Sequence, residues 1–130
     1  MFENYIIKRP EDRKVRVSAR PAPDGKIAQT RYRVLAQASG LSLVECELLT
    51  GRTHQIRAQM AFAGHPLLGD SQYGDAKRNA RYNRGYQALC AYRLRFNFDD
   101  AVGPLAAIAG REFTASLPGF VREYFPEYQP

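Results

Sequence analysis

The sequence has little cysteine and no long apolar run. Its two cysteines, Cys46 and Cys90, show neither CxxC spacing nor a paired framework, which predicts reduced core thiols in a cytoplasmic protein rather than disulfides. No apolar stretch approaches the roughly 18 to 20 residues that a membrane span requires, and the N-terminal residues have no signal-peptide core. We therefore expect neither secretion nor contact with a membrane.

Candidate metal ligands are also scarce. The two histidines, His54 and His65, match no zinc-binding spacing, and no acid or cysteine completes a site beside them. We therefore expect no metal. A length of 130 residues with 45% hydrophobic and 12% aromatic residues fits one globular domain or a piece of one.

Positive charge is what the sequence has in excess. Lys and Arg number 19 against 13 Asp and Glu, which gives a net charge of +6 and a pI near 9.6. Such an excess attracts polyanions, and nucleic acid is the commonest polyanion in the cytosol. Basic residues stand on both sides of the segment 49–74: Arg16, Arg20, Arg31 and Arg33 precede it, and Lys77, Arg78, Arg81 and Arg84 follow it.

Alternation of polar and apolar side chains predicts several strands. Strand periodicity occurs in residues 14–18, 27–38 and 41–49. The Ser39–Gly40 turn joins the last two of these segments, so we expect a β-hairpin there.

The period changes near residue 53, and a short helix is predicted over 53–63. Its apolar stripe consists of Ile56, Met60 and Ala63. Thr50 or Thr53 is the expected N-cap, and Gly64 stands where a left-handed C-terminal cap belongs.

The remainder of the chain is predicted as loop, strand and a closing helix. Residues 69–86 are rich in Gly and Asn and are expected to be a basic loop, whereas residues 87–98 form the most strand-like run of all. A last short strand is expected at 111–118 and an amphipathic helix at 118–125. Because no βαβ alternation occurs, the predicted class is α+β, with a mostly antiparallel sheet and a short central helix.

The first turn of the central helix carries residues that suit an anionic ligand. A helix N-terminus offers free N–H groups to an anion. Arg57 lies one turn from His54 and opposite the apolar stripe, so we expect it at the floor of a cleft, where its planar fork can clamp a carboxylate or phosphate. A second interpretation stays open from spacing alone: Arg57 pairs with a nearby acid and only stabilises the fold.

Three motifs resemble one known family. The segments TGRTHQIR (50–57), GHPLLGDSQYG (64–74) and ALCAYRLRF (88–96) are similar, in this order and spacing, to motifs of the RluA-like family of RNA pseudouridine synthases. The similarity runs from about residue 4 to residue 118, and three motifs in register are far more specific than one. The resemblance implies that residues 1–130 are the C-terminal portion of a single pseudouridine synthase catalytic domain.

This resemblance implies isomerisation of uridine to pseudouridine within structured RNA, either ribosomal or transfer RNA. The family uses one Asp and no cofactor, and the target nucleotide leaves its stack. Arg57 matches the motif arginine that pairs with the catalytic Asp, while Asp70 matches a position interpreted as structural. The residues expected to contact RNA lie in the helix's first turn and in the basic segment: Arg52, His54, Gln55, Lys77, Arg78, Arg81 and Arg84. For the last four, a solvated loop face is the alternative.

The sequence also departs from the family's pattern. The H-R-L-D segment that carries the catalytic Asp is absent from these residues, so we expect no activity from this chain alone. Gln59 stands where His is common, which we interpret as neutral variation. Two alternatives to an enzymatic role remain: a structured-RNA-binding module without chemistry, and a structural fragment that self-associates through an exposed sheet edge.

Overall fold

The computed structural model describes residues 1–98 and 103–130. These residues form two compact units, 1–88 and 89–130. In the described ranges, no helix is long and apolar enough to cross a membrane, and no three His, Cys, Asp or Glu side chains cluster as a metal site would. The α+β class with an antiparallel sheet is confirmed.

The first unit is built on a four-stranded antiparallel sheet. The strand order is β2-β1-β3-β4, so the N-terminal strand lies inside the sheet, between β2 and β3. This strand was not predicted, although its sequence FENYII is rich in the aromatic and β-branched residues that favour strands. The strands are β1 (Phe2–Ile7), β2 (Arg16–Ser18), β3 (Lys26–Ala38) and β4 (Leu41–Leu48).

The predicted hairpin is confirmed as β3 and β4. Ser39 and Gly40 have φ values of 51° and 73°, and two positive φ angles in succession match the twist of the flanking strands. Across the pair, Arg31 contacts Glu47 at 2.7 Å, and Arg33 contacts Glu45 at 2.8 Å. These exposed pairs favour the observed register but contribute little to stability.

The central helix, α1 (Gln55–Phe62), is shorter than predicted, and its buried face agrees with the predicted stripe only at Met60. It packs against β1 and β2. Its buried residues are Gln55, Ala58, Gln59 and Met60, whereas Ala63 of the predicted apolar stripe is exposed. Met60 of the predicted stripe is buried, so the stripe was wrong at Ala63 and not throughout. The buried face also contains two glutamines, which satisfy polar groups of β3 as an apolar side chain could not.

Both ends of α1 are defined by backbone geometry. At the start, His54 is the N-cap with φ 53° and no side-chain cap bond, so the predicted threonine cap was wrong. The C-terminal cap at Gly64 is confirmed by a φ of 82°. The N–H groups of Gly64 and His65 donate to the carbonyls of Ala61 and Met60 at 3.0 and 2.9 Å, which is the Schellman pattern.

A second helix lies in the segment predicted as loop. Helix α2 (Ala76–Arg81) begins at Asp75, whose carboxylate accepts from the N–H of Arg78 at 2.9 Å. Asn79 on α2 accepts from the N–H of Gly69 at 2.8 Å and donates to the carbonyl of Asp70 at 3.1 Å. The helix therefore fixes the loop that carries Asp70.

The second unit contains a small antiparallel pair and a closing helix. The strand predicted over 87–98 is wrong in extent, because only β5 (Arg93–Arg95) is a strand, paired with β6 (Glu112–Thr114). The closing helix is confirmed as α3 (Gly119–Tyr124).

Both cysteines are free, but Cys90 is exposed and not a core thiol. Burial and the neighbouring Glu45 raise the pKa of Cys46 to about 11.

Candidate active site: a clamped arginine beside a tyrosine and a histidine

Arg57 is held by a bidentate contact with Asp70. Its Nε and Nη2 donate to Oδ2 and Oδ1 of Asp70 at 2.7 and 2.9 Å, and Nη2 also donates to Oε1 of Gln72 at 2.8 Å. The side chains of Arg57 and Asp70 are 12% and 0% exposed. The sequence left open whether Arg57 pairs with a nearby acid. The structure shows this pairing for one edge of the guanidinium.

The GD loop, residues 69–74, is shaped to present the Asp70 carboxylate. Oδ1 of Asp70 also accepts from the backbone N–H groups of Gln72 and Tyr73 at 2.9 and 3.0 Å. Gly69 has φ 78°, and a Cβ there would lie 1.9 Å from the carbonyl oxygen of Tyr86. No other residue fits this turn without moving the backbone.

The charge of Asp70 is stabilised in spite of its burial. Burial alone would raise the pKa of Asp70, but hydrogen bonds from Arg57 and from the N–H groups of Tyr73 and Gln72 outweigh it and hold the pKa at about 2. The same contact with Asp70 raises the pKa of Arg57. Both groups are thus ionised over the whole physiological range.

This ion pair predicts a loss of stability in acid. The folded-state pKa of Asp70, about 2, lies below its ordinary value of 3.8, so the stabilisation that its charge provides is present above pH 4 and lost as the pH falls through 2. The difference in unfolding free energy between the wild type and Asp70→Asn should narrow by on the order of 2 kcal/mol from pH 5 to pH 2. Urea titrations at several pH values measure this difference, and a difference that does not change with pH would contradict the pairing.

The opposite edge of the Arg57 guanidinium is open. Nη1 has no hydrogen-bond partner among the described residues, since the contacts of Arg57 run through Nε and Nη2. Within those residues, Oδ2 of Asp12 is the one buried side-chain N or O atom that has no hydrogen-bond partner. Nη1 is therefore reached by solvent, and its N–H groups are free to donate to a further acceptor.

Tyr73 links Arg57 to His54. Cζ of Arg57 lies 5.1 Å from the centroid of the Tyr73 ring, and Nζ of Lys14 lies 5.8 Å from it. The His54 ring meets the tyrosine edge-on at 5.7 Å, with its Nδ1 3.0 Å from Oη of Tyr73. That oxygen also accepts from the N–H of Val15 at 2.7 Å. The structure thus gathers His54 and Arg57 around one aromatic ring.

Gln55 and Gln59 form a buried polar network behind the site. The Gln55 amide donates to Oγ1 of Thr30 at 2.9 Å and accepts from Oγ1 of Thr50 at 2.8 Å. The Gln59 amide accepts from Oγ1 of Thr30 at 2.6 Å and donates to the carbonyl of Ala28 at 3.0 Å. Gln55 and Gln59 are 3% and 1% exposed, so this network fixes α1 on the sheet.

The structural role of Gln59 was not predicted from the sequence. Its spacing of four residues from Gln55 was the available signal, because residues at that spacing share one face of a helix. Gln55 was predicted to contact RNA. That assignment stays a prediction, but the structure uses the Gln55 amide inside the chain.

The other predicted RNA contacts lie on two surfaces. Nε of Arg52 donates to the carbonyl of Ile27 at 2.9 Å, beside the start of α1. Three residues of α2, Lys77, Arg78 and Arg81, are exposed. Arg84 is partly buried, and its Nε donates to the carbonyl of Tyr86 at 3.1 Å. The side chains of α2 thus form a basic surface on the helix that fixes the GD loop.

Comparison with known proteins identifies the family. A family model described as RNA pseudouridylate synthase matches residues 1–62. An uncharacterized RNA pseudouridine synthase of Bacillus subtilis, YhcT, is 41% identical over 119 residues, which is 88% of this chain. The ribosomal large subunit pseudouridine synthase D of Zymomonas mobilis is 52% identical over 96 residues, 72% of this chain. Its namesake in Neisseria meningitidis is 45% identical over 85 residues, 59% of this chain.

These matches confirm the resemblance to the family. The chain belongs to the RluA-like family of RNA pseudouridine synthases. The matched stretches make up 36%, 29% and 23% of the lengths of these three relatives, so the chain spans about a third of their length or less.

Proposed function

We propose that these residues form the C-terminal portion of a catalytic domain that isomerises uridine to pseudouridine in structured RNA, with Arg57 as the residue that binds the catalytic aspartate. One observation carries this proposal. Arg57 is bound along one edge by Asp70 and Gln72, while its Nη1 has no hydrogen-bond partner in the part of the chain that the structure describes. A guanidinium fixed in this way can bind a second carboxylate only on the side of Nη1.

The reaction explains why such an arginine is useful. The bond between C1′ of the ribose and N1 of uracil breaks, the base turns, and C5 bonds to C1′. The proton of C5 is lost, and N1 gains one. A single carboxylate carries this chemistry in the family, and it must stay ionised in a site from which water is largely excluded. Nη1 of Arg57 would supply a charge-assisted hydrogen bond that keeps it so.

Asp70 and the incoming aspartate have separate roles in this proposal. The Asp70 carboxylate is buried, and both of its oxygens accept hydrogen bonds from the chain. It is therefore a positioning residue for Arg57 and not a nucleophile. The nucleophile would come from an H-R-L-D segment, which is absent from these 130 residues, so we propose that this chain alone is inactive.

The basic residues would bind the RNA backbone. Lys77, Arg78 and Arg81 are exposed on α2, and phosphate contacts of this kind fix the position of the RNA without reading its bases. Arg52 and Arg84, which lie near α1 and after α2, would extend the contact. Two of the compared relatives are named for the ribosomal large subunit, so we propose ribosomal RNA before transfer RNA as the substrate.

The test compares the chain alone with a chimera. In the chimera, this chain replaces the matching stretch of the Zymomonas mobilis relative, which would supply the H-R-L-D segment. We expect pseudouridine in ribosomal RNA from the chimera and none from the chain alone, as measured by chemical labelling and primer extension. Asp→Asn in the H-R-L-D segment is the control and should abolish the product.

Two outcomes would contradict the proposal. Product formation by the 130-residue chain alone would show that no further carboxylate is needed. A folded chimera that binds RNA with a steep dependence on salt, but makes no pseudouridine, would favour the alternative function of a structured-RNA-binding module without chemistry.

A further inference from the structure

We propose that Tyr73 fixes His54 as the neutral tautomer with its proton on Nε2, and that this N–H binds a phosphodiester oxygen of the RNA. The inference rests on the proposed function, because it requires an RNA ligand. It adds an RNA-binding role for His54 and a positioning role for Tyr73.

The hydrogen bonds of the Tyr73 hydroxyl favour one tautomer of His54. The backbone N–H of Val15 can only donate, and it donates to Oη of Tyr73 at 2.7 Å. With one acceptor position of Oη occupied by Val15, the hydroxyl proton can point to the other neighbour of Oη, Nδ1 of His54, at 3.0 Å. In the proposed arrangement Nδ1 accepts from this hydroxyl, which places the proton of a neutral imidazole on Nε2.

The surroundings of His54 keep its imidazole neutral. Burial lowers the pKa of His54, and the positive charges of Arg57 and Lys8 lower it further. The charge of Asp70 acts in the opposite direction, but Asp70 is already paired with Arg57. His54 is therefore a neutral donor among cations.

The ring is also fixed in position. His54 has φ 53° as the N-cap of α1, and its ring meets that of Tyr73 edge-on at an interplanar angle of 78°. Nε2 has no hydrogen-bond partner among the described residues, and it is not one of the buried side-chain nitrogen or oxygen atoms there. An N–H group that faces solvent near the positive charges of Arg57 and Lys8 suits an anionic acceptor, and in RNA that acceptor is the phosphodiester.

The tautomer is tested first, without RNA. Long-range ¹H–¹⁵N correlation spectra of the full chain should show Nε2 of His54 protonated and Nδ1 unprotonated, with His65 as an internal reference. Tyr73→Phe should give a mixture of tautomers. Tyr86→Phe removes a hydroxyl from a ring that is 85% exposed and should leave the spectrum unchanged. A proton on Nδ1 of the wild type would overturn the inference.

The phosphate contact is tested by binding to a synthetic RNA hairpin with uridines in its loop, over a series of salt concentrations. His54→Gly removes the ring and tolerates the positive φ, so folding is retained and is checked by thermal unfolding. We expect roughly tenfold weaker binding with an unchanged salt slope, since no charge is removed. Lys77→Ala is the matched control, and it should reduce the slope by about one unit.

The outcomes separate this inference from the proposed function. If His54→Gly binds as tightly as the wild type, only the His54 contact is wrong. If its loss of affinity disappears when the loop uridines are replaced by abasic nucleotides, the contact is to a base and the phosphate assignment is overturned. If the wild type does not bind the hairpin at any salt concentration, the proposed RNA surface fails as well.

Discussion

Replacing Asp70 by alanine should lower the free energy of unfolding of this chain by about 3 kcal/mol. Removal of one member of a buried ion pair leaves the other charge uncompensated, which typically costs about 3 to 5 kcal/mol. Arg57 is 12% exposed and can recover some hydration, so the lower end applies. The substitution also removes the acceptor for the N–H groups of Gln72 and Tyr73, which loosens the GD loop.

Denaturant unfolding followed by circular dichroism measures this effect. Asp24→Asn is the matched control, because Asp24 is exposed in a turn with φ 59° and Asn tolerates that conformation. We expect the control to lie within about 0.5 kcal/mol of the wild type. A loss of less than 1 kcal/mol for Asp70→Ala would mean that the pair does not hold the loop.

The second large effect concerns turnover in the chimera. Arg57→Ala should lower kcat by roughly 10²- to 10³-fold, the usual effect of losing one preorganised donor in an active site. Arg57→Lys should lose most of this activity too, since an ammonium cannot contact Asp70 and a second carboxylate with the geometry of a planar fork. KM should change little if RNA binding rests on other residues.

An arginine outside the site provides the control for that experiment. Arg31 on β3 is 61% exposed and pairs with Glu47, so Arg31→Ala should retain kcat within about twofold, as expected for an exposed ion pair. If Arg57→Ala in a folded chimera kept kcat within fivefold of the wild type, the role assigned to Arg57 would be wrong.

The sequence predicted those features that depend on short-range signals. The β3–β4 hairpin follows from alternation around the Ser39–Gly40 turn, and the end of α1 follows from Gly64. Helix α2 was missed because flanking Gly and Asn residues suggested a loop, although Asp75 is a good N-cap. Each of these features is determined by residues that are close together in the sequence.

Contacts between distant segments could not be predicted in the same way. The predicted face of α1 included the buried Met60 but not Gln59, because Gln59 hydrogen-bonds to Thr30, 29 residues away in sequence, and helical periodicity alone assigns glutamine to the surface. Strand β1 was not predicted because it forms by pairing with β3, which lies about 20 residues or more further along the chain. The Arg57–Asp70 contact was left open because spacing shows which residues can meet but not which acceptor satisfies a guanidinium.

The most direct measurement is the contact of Arg57 in a crystal structure of the active chimera. The proposal predicts that a carboxylate oxygen of the H-R-L-D aspartate lies within hydrogen-bond distance, about 3 Å, of Nη1 of Arg57, while Asp70 keeps its contacts with Nε and Nη2. A structure in which that aspartate is bound by another cation, with Arg57 bound to Asp70 alone, would contradict the central claim.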